Sequence, residues 1–375
     1  MTANLDIRRV ESSVASEIYI TATPGENKTL DGNAKEIFSG IRDVLSSEKA
    51  YILQERVFGT RSAMEKVLRV RLEAYGDIDD GVAPSALVGR DGMCAPIAGV
   101  QLHAVRSDTR PEALLLNGSL CGRVIRVPGR NYLTLSAISA DKSTQKSGNA
   151  AEQAKVMMEQ SESVLRQFGA DFLSVPRTWM WLSDILSWYD DFNQVRNKFF
   201  TERGLIGKGS RQSMPASTGI GLYPAEGCKC AMDLTAVLEP ADSIQFLGAV
   251  GKQQCALEYG SAFSRASRSV TPAGETVFVS GTASIDAGGA TTNIGDALGQ
   301  INTTIENVRA VLRDMNTADE DVVQAIAYCK TNEEEQIFNT VKDSLPWPWI
   351  TMICDICRPE LLFEIEATAM PGAGK

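Results

Sequence analysis

The sequence predicts an α+β protein in which one chain carries three copies of a single unit, each a mixed sheet with two helices on one face, closed into a pseudo-trimer. Three observations predict it. The order strand, helix, strand, helix, strand, strand occurs three times, at a spacing of roughly 100 residues. The helical segments are amphipathic, with one apolar stripe each. And 375 residues with 43% hydrophobic and 22% charged content supply enough apolar side chains for several ordinary globular cores.

The first unit opens with a strand over residues 18–22. A helix pattern follows over 34–45, where Ile37, Phe38, Ile41, Val44 and Leu45 fall on one face. A strand over 51–58 and a helix over 62–74 continue the order, and short strands at 85–88 and 99–105 complete it. The second unit repeats this with a strand at 132–138, an amphipathic helix at 151–168 and a strand at 171–181. An aromatic-rich helix pattern at 185–201 and strands at 215–222 and 228–234 end it. The third unit is the clearest: a strand at 276–285, a Gly-rich loop at 286–293, and a helix at 294–315 that buries Leu298, Ile301, Ile305, Val308 and Leu312. A strand at 322–329, a helix at 333–342 and a strand at 349–356 follow. The expected units are 1–120, 121–240 and 241–375, with sites falling in the seams between them.

The stretch 353–368 closes the third unit. Two apolar runs flank Arg358-Pro359-Glu360, which predicts two strands joined by a tight turn. On the second run Leu361, Phe363, Ile365 and Ala367 share one face, and Leu362, Glu364, Glu366 and Thr368 share the other. Two carboxylates on so apolar a strand mean that this face meets solvent or lines a cleft where a carboxyl group does chemistry.

Composition excludes several function classes. The net charge of −10 argues against nucleic acid or an anionic membrane as partner, while leaving room for a small anion held by a few focused arginines. No run approaches a membrane span and the N-terminal stretch lacks the apolar core of a signal peptide, so a cytoplasmic location is expected. The eight cysteines are scattered and read as reduced, buried thiols. Cys228, Cys230, Cys354 and Cys357 sit in strand-like runs rather than knuckle turns, so no zinc site is expected. With His103 as the single histidine, lying in an apolar run, Ser-His or Cys-His catalysis has little to draw on. Trp179, Trp181, Trp188 and Tyr189 read as a core or interface cluster.

At this point particular residues match a family. Phe278-Val-Ser-Gly-Thr-Ala-Ser-Ile285 and Glu364-Ile-Glu-Ala-Thr-Ala369 resemble the entry and closing strands of the RidA/YjgF family, a small α+β unit that trimerises with ligand clefts between subunits. Leu133–Ile138 and Pro215–Thr218 match it more loosely. Arg177-Thr-Trp179, Met214–Gly221, Tyr259–Arg265 and Cys357–Glu364, in that order, are similar to a narrower group, the chorismatases, over roughly residues 120 to 370. The first unit joins the resemblance by element order only. Two departures stand out. The arginine typical of RidA-type imine deaminases falls near Trp349 and Ser217, and neither position carries it; the 185–200 stretch also differs from the chorismatase pattern.

The resemblance implies an enzyme that converts chorismate to pyruvate plus a hydroxybenzoate or a dihydroxycyclohexadiene carboxylate, feeding secondary metabolism without metal or organic cofactor. Its catalytic acid falls on Glu364. Cys357 matches a position that separates product types, where Cys goes with 3-hydroxybenzoate. Read from the residues, Glu364 in an apolar seam would hold its proton at neutral pH, or else would be a solvated strand carboxylate. Arg265 and Arg177 are candidates for the substrate carboxylates because a guanidinium pairs with them bidentately, whereas Arg196 reads as a surface or inter-unit salt bridge. Thr218, Gly219 and Gly221, and likewise Ser280 and Gly281, either present backbone amides to a ligand or form strands with bulges. Tyr259 either donates its hydroxyl or packs. The remaining readings are an imine or enamine hydrolase on the same scaffold and a non-catalytic protein that holds a small anion. A pseudo-trimeric chain is complete as a monomer or a weak homodimer.

Overall fold

A computed structural model describes residues 2–26, 28–90, 92–207 and 213–373. In the first unit the strands are β1 (Asn4–Glu11), β2 (Ser16–Thr23), β3 (Tyr51–Thr60), β4 (Ser85–Gly89) and β5 (Ile97–Arg106), with helices α1 (Leu30–Glu48) and α2 (Arg61–Tyr75). The second has β6 (Glu112–Leu116), β7 (Ser119–Val127), β8 (Arg130–Ile138), β9 (Arg177–Leu182), β10 (Ala216–Ile220), β11 (Tyr223–Pro224) and β12 (Cys230–Glu239). Its helices are the short α3 (Lys142–Ser147), α4 (Ala150–Arg166) and α5 (Tyr189–Glu202). The third has β13 (Gln245–Leu247), β14 (Ala266–Val270), β15 (Glu275–Ala283), β16 (Val322–Cys329), β17 (Trp349–Ile353) and β18 (Phe363–Ala369), with α6 (Ala297–Asp314) and α7 (Asn332–Asn339).

The three sheets share one topology. Their orders are β1-β2-β5-β3-β4-β11, β6-β7-β8-β12-β9-β10 and β13-β14-β15-β18-β16-β17. In each, the last long strand of the unit inserts between the opening antiparallel strands and a parallel pair, β3/β4, β9/β10 or β16/β17. A parallel pair needs a crossover, and α2, α5 and α7 provide it. The sixth strand of the first sheet, β11, comes from the second unit and pairs with β4. Each sheet buries one face under its helices; α1, for instance, caps on Thr29 and presses Ala34, Ile37, Phe38, Ile41 and Leu45 onto its sheet.

Several expectations are corrected. The expected hairpin over 353–368 is a crossover: β17 and β18 lie on opposite sides of β16, and the intervening 354–362 is a loop. The apolar side chains of that loop, Ile356 and Leu361, fill an inter-unit core rather than a strand face. The strands β1, β6, β7, β13 and β14 were not in the sequence pattern, and β6 places residues 112–116 in the second sheet. Of the expected strand at 171–181 only β9 is extended; a 3-10 turn occupies Phe172–Ser174.

The sheets meet edge-on and face-on around a shared interior. Phe58 and Leu87, Trp179, Trp181 and Ile220, and Ile326, Tyr328 and Ile350 form one apolar cluster drawn from all three units. His103 belongs to a seam as well. It stacks on Tyr19 at 4.4 Å and its Nε2 lies 2.7 Å from Glu17, whose other oxygen accepts from Thr271 and the Ala273 amide of the third unit. All eight cysteines are free thiols, and among the described residues no group of three or more His, Cys, Asp or Glu side chains is placed to hold a metal ion. No helix of the described residues is long and apolar enough to cross a membrane.

Candidate active site

The second and third units are stitched together by backbone. β10 is an edge strand, and its unpaired groups find partners across the seam: Ser264 N donates to Pro215 O at 3.0 Å and Gly221 N to Asp355 O at 2.9 Å. Gly221 is required here, because a Cβ would overlap the Asp355 carbonyl. This docking brings β10 and α5 of one unit against β15, β18 and the 354–362 loop of the other.

Between them lies a cavity with about 530 Å³ of space, its mouth included, free of protein atoms. Glu364 forms part of its wall, opposite Ser217 and Gly219 of β10 and Tyr189 and Arg196 of α5. The residue alternation of β18 explains the placement. Phe363, Ile365 and Ala367 enter the core under α6 and α7, so Glu364 and Glu366 point the other way, into the seam.

Glu364 is 5% exposed, and its carboxyl makes no hydrogen bond to the described residues. Burial, and then the negative charge of Glu366, push its pKa up to about 8, against the pull of Arg177, Arg265 and Arg358. The group is therefore a neutral acid at neutral pH. Gly281 on β15 makes room for it, since a methyl group there would overlap Oε1 of Glu364.

Three guanidiniums border the cavity: Arg196, Arg265 and Arg358. None is ion-paired among the described residues. Arg265 donates from Nε to Gln254 O at 3.0 Å and from Nη2 to the Tyr259 hydroxyl, and Arg358 donates from Nη1 to Gly289 O at 2.7 Å. Both lie 5.3 Å from the centre of the Tyr259 ring. Arg196 donates from Nη2 to Asn193 Oδ1 at 2.6 Å, packs over Phe192 and Phe263, and leaves a buried Nε without a hydrogen-bond partner among the described residues. Cys357 completes the wall, and burial, then the nearby Glu364, push its thiol up to about 12.

Arg177 is not at the cavity wall. It lies beneath it, 1% exposed, donating from Nη2 to Glu366 Oε2 at 2.9 Å and to Thr218 Oγ1 at 2.7 Å. Thr218 thus faces Arg177 rather than the cavity. Ser280 is also internal: its hydroxyl donates to Ser264 O and accepts from the Ser217 amide, which fixes β10 against β15. Cys357, Glu364, Arg265, Tyr259, Gly219 and Gly281 converge on one space, while Arg177, Thr218 and Ser280 build its floor.

The sequence reading did not place Tyr189 and Arg358 at a wall, and it read Arg196 as a surface or inter-unit salt bridge. Tyr189, Phe192 and Arg196 are spaced for one face of a helix, a signal that was present in the 185–201 pattern. Arg358 sits beside Cys357 in what looked like a turn and is a cavity wall only because that turn is a crossover loop.

The repeat supplies an internal control for the acid. Before the same register shift, Met232 pairs with Ile138 in the second sheet and Ile365 pairs with Thr282 in the third. Asp233 therefore corresponds to Glu366, and Ala231 to Glu364. Asp233 accepts from Arg56 Nε at 2.8 Å across the seam with the first unit, as Glu366 does from Arg177. The buried carboxylate–arginine pair occurs in two seams; the free carboxyl next to it occurs in one.

Residues 257–371 match the family model Ribonuc_L-PSP, endoribonuclease L-PSP. No curated protein matches the chain in sequence. A solved chorismatase superposes on 98% of this chain and 100% of its own with a TM-score of 0.62 and 18% identity. A putative endoribonuclease from Thermotoga maritima covers 34% of this chain and 96% of its own, at 22% identity and a TM-score of 0.28. A YjgF-family protein from Neisseria meningitidis covers 34% of this chain and 93% of its own, at 19% identity and a TM-score of 0.27. The whole chain therefore has the fold of that solved chorismatase, and the family-model match lies within the third unit.

Proposed function

We propose that the cavity is the active site of a chorismatase-like enzyme, in which Glu364 is the acid that opens the enol ether of chorismate. The observation that carries this reading is a buried, neutral carboxyl with no hydrogen-bond partner among the described residues, facing a space bordered by three guanidiniums that no carboxylate of the described residues neutralises. Chorismate is a dianion, and Arg196 on one side with Arg265 and Arg358 on the other suit its two carboxylates.

The reaction runs as a proton transfer followed by capture. The Glu364 O–H bond breaks and its proton forms a C–H bond at the terminal methylene of the enolpyruvyl group, leaving a cation stabilised by the ether oxygen. The Glu364 carboxylate so formed is the fixed counter-charge for that cation in a site with little water. Capture by the ring hydroxyl returns that hydroxyl's proton to Glu364 and forms a cyclic ketal; cleavage of the captured oxygen's bond to the ring and of the ketal carbon's bond to the other oxygen releases pyruvate, and transfer of a ring C–H proton to the remaining oxygen aromatises the ring to 3-hydroxybenzoate. Capture by water instead gives the dihydroxycyclohexadiene carboxylate. Cys357 at the wall favours the first outcome, since its protonated thiol is small and apolar and leaves no charged group to hold a water.

The test is incubation of the purified protein with chorismate, followed by chromatography. Pyruvate and 3-hydroxybenzoate in equal amounts are expected, and none from Glu364→Gln. Absence of turnover in the parent protein refutes the substrate, and turnover retained in Glu364→Gln refutes the role of the acid.

A further inference from the structure

Glu366 looks at first like a structural residue. Its Oε2 accepts from Arg177 and its Oε1 accepts from Trp179 Nε1 at 2.8 Å, and it is 4% exposed. Its counterpart Asp233 is held just as firmly, by Arg56, by the Ser85 hydroxyl at 2.6 Å and by the Ala137 amide at 2.8 Å. In that second seam Ala231 stands at the position of Glu364, so the pair has no acid beside it on that strand.

At the cavity seam the same pair has a neighbour. Glu364 stands two residues before Glu366 on the same strand face. The charged groups that face Glu364 most closely are Glu366 on its own strand, Arg177 from β9, and Arg265 and Arg358 from the loops; Cys357 and Tyr189 face it as protonated groups. Glu366 is the one anion in that set. Without it, burial alone would oppose the pull of three cations on the Glu364 proton. Arg177 pairs with Glu366 but offsets only part of its influence, because Glu366 acts on Glu364 more strongly than Arg177 does.

We propose that Glu366, clamped by Arg177 and Trp179, is the positioning residue that keeps the proton on Glu364. It touches no substrate; it acts through the acid. The proposal rests on the reading of Glu364 as the acid, and it extends that reading to a two-carboxylate device in which one group is fixed as the anion so that the other stays neutral.

The experiment follows the protonated carboxyl of Glu364 by infrared pH titration, with Glu364→Gln subtracted to assign the band, so no substrate is needed. Glu366→Gln removes the anion and leaves Arg177, so the midpoint is expected to fall by about one pH unit or more. The double variant Glu366→Gln/Arg177→Met also removes the arginine that loses its buried carboxylate partner, and it serves if the single variant does not fold. Its midpoint is expected between the two, because Glu366 acts on Glu364 more strongly than Arg177 does. A midpoint unchanged or raised in whichever variant folds overturns the proposal. A fall in the midpoint together with no action on chorismate leaves this device standing and removes the proposed substrate.

Discussion

Glu364→Gln should make the protein more stable, by an amount that depends on pH. The ordinary value for a glutamate is 4.5, and in the folded chain the group titrates at about 8. Between those values the folded protein keeps a proton that the unfolded chain releases, so raising the pH favours unfolding by about 1.4 kcal/mol per pH unit. At pH 7 the parent protein therefore carries a penalty of about 3 kcal/mol at this one position. Glutamine has nothing to ionise and nearly the same shape. The variant's advantage is expected to be absent below the ordinary glutamate range, to grow with pH, and to level off above about 8. Denaturant unfolding of both proteins at a series of pH values reads this directly, with the difference between midpoints as the quantity compared. A difference that stays flat from acid to mildly alkaline pH, or a variant that is less stable at neutral pH, refutes the assignment of Glu364 as a buried neutral acid.

Three further predictions address the walls and the seams. Gly281→Ala places a methyl group where Oε1 of Glu364 now lies, with Thr218 Cγ2 3.3 Å away on the other side; turnover should fall ~100-fold through misplacement of the acid while the fold loses only about 1–3 kcal/mol, and kinetics beside thermal melting separate the two. Cys357, with its thiol pushed up to about 12, should label with iodoacetamide at least about tenfold more slowly in the folded protein than in urea; peptide mass spectrometry showing equal rates contradicts the protonated thiol. Asp233→Ala strands Arg56, whose other hydrogen-bond partner among the described residues is Gln54, and should cost about 3–5 kcal/mol in denaturant unfolding; a loss under about 1 kcal/mol would mean that the seam relaxes around the arginine.

The fold class was legible because helix periodicity is a strong local signal and it recurs three times. The helices α1, α4 and α6 stand close to where their apolar stripes placed them. What local patterns could not give was pairing. β17 and β18 are close in sequence and bracket an Arg-Pro-Glu turn, yet β16 lies between them, because each unit inserts its last strand into the middle of its sheet. That single topological fact converts a supposed hairpin turn into the loop that carries Cys357 and Arg358 to the cavity. The strands β7 and β14 were hidden for a related reason: their polar residues, such as Arg123 and Ser267, are buried in seams and hydrogen-bonded there, which breaks the alternation expected of a half-exposed strand.

The candidate site divides along the same line. Glu364 was visible from the sequence as a carboxylate on an apolar strand, and its neighbours on β15 came with it. Glu366 was visible only as the second carboxylate of that face, and Arg177 as a candidate substrate ligand, because no sequence pattern shows that the two are bonded to each other across a seam. Arg196 was read as a surface or inter-unit cation; the helix that carries it packs its charged end inward against Phe263, a contact between residues from different units.

The most direct test of the account is the pH dependence of pyruvate release from chorismate. An acid that must be protonated to act, with its pKa at about 8, predicts kcat/KM that holds steady through neutral pH and falls tenfold per unit above about 8, with the descending limb displaced to lower pH in Glu366→Gln. Release of pyruvate that persists undiminished well above pH 8, or no release at any pH, contradicts it.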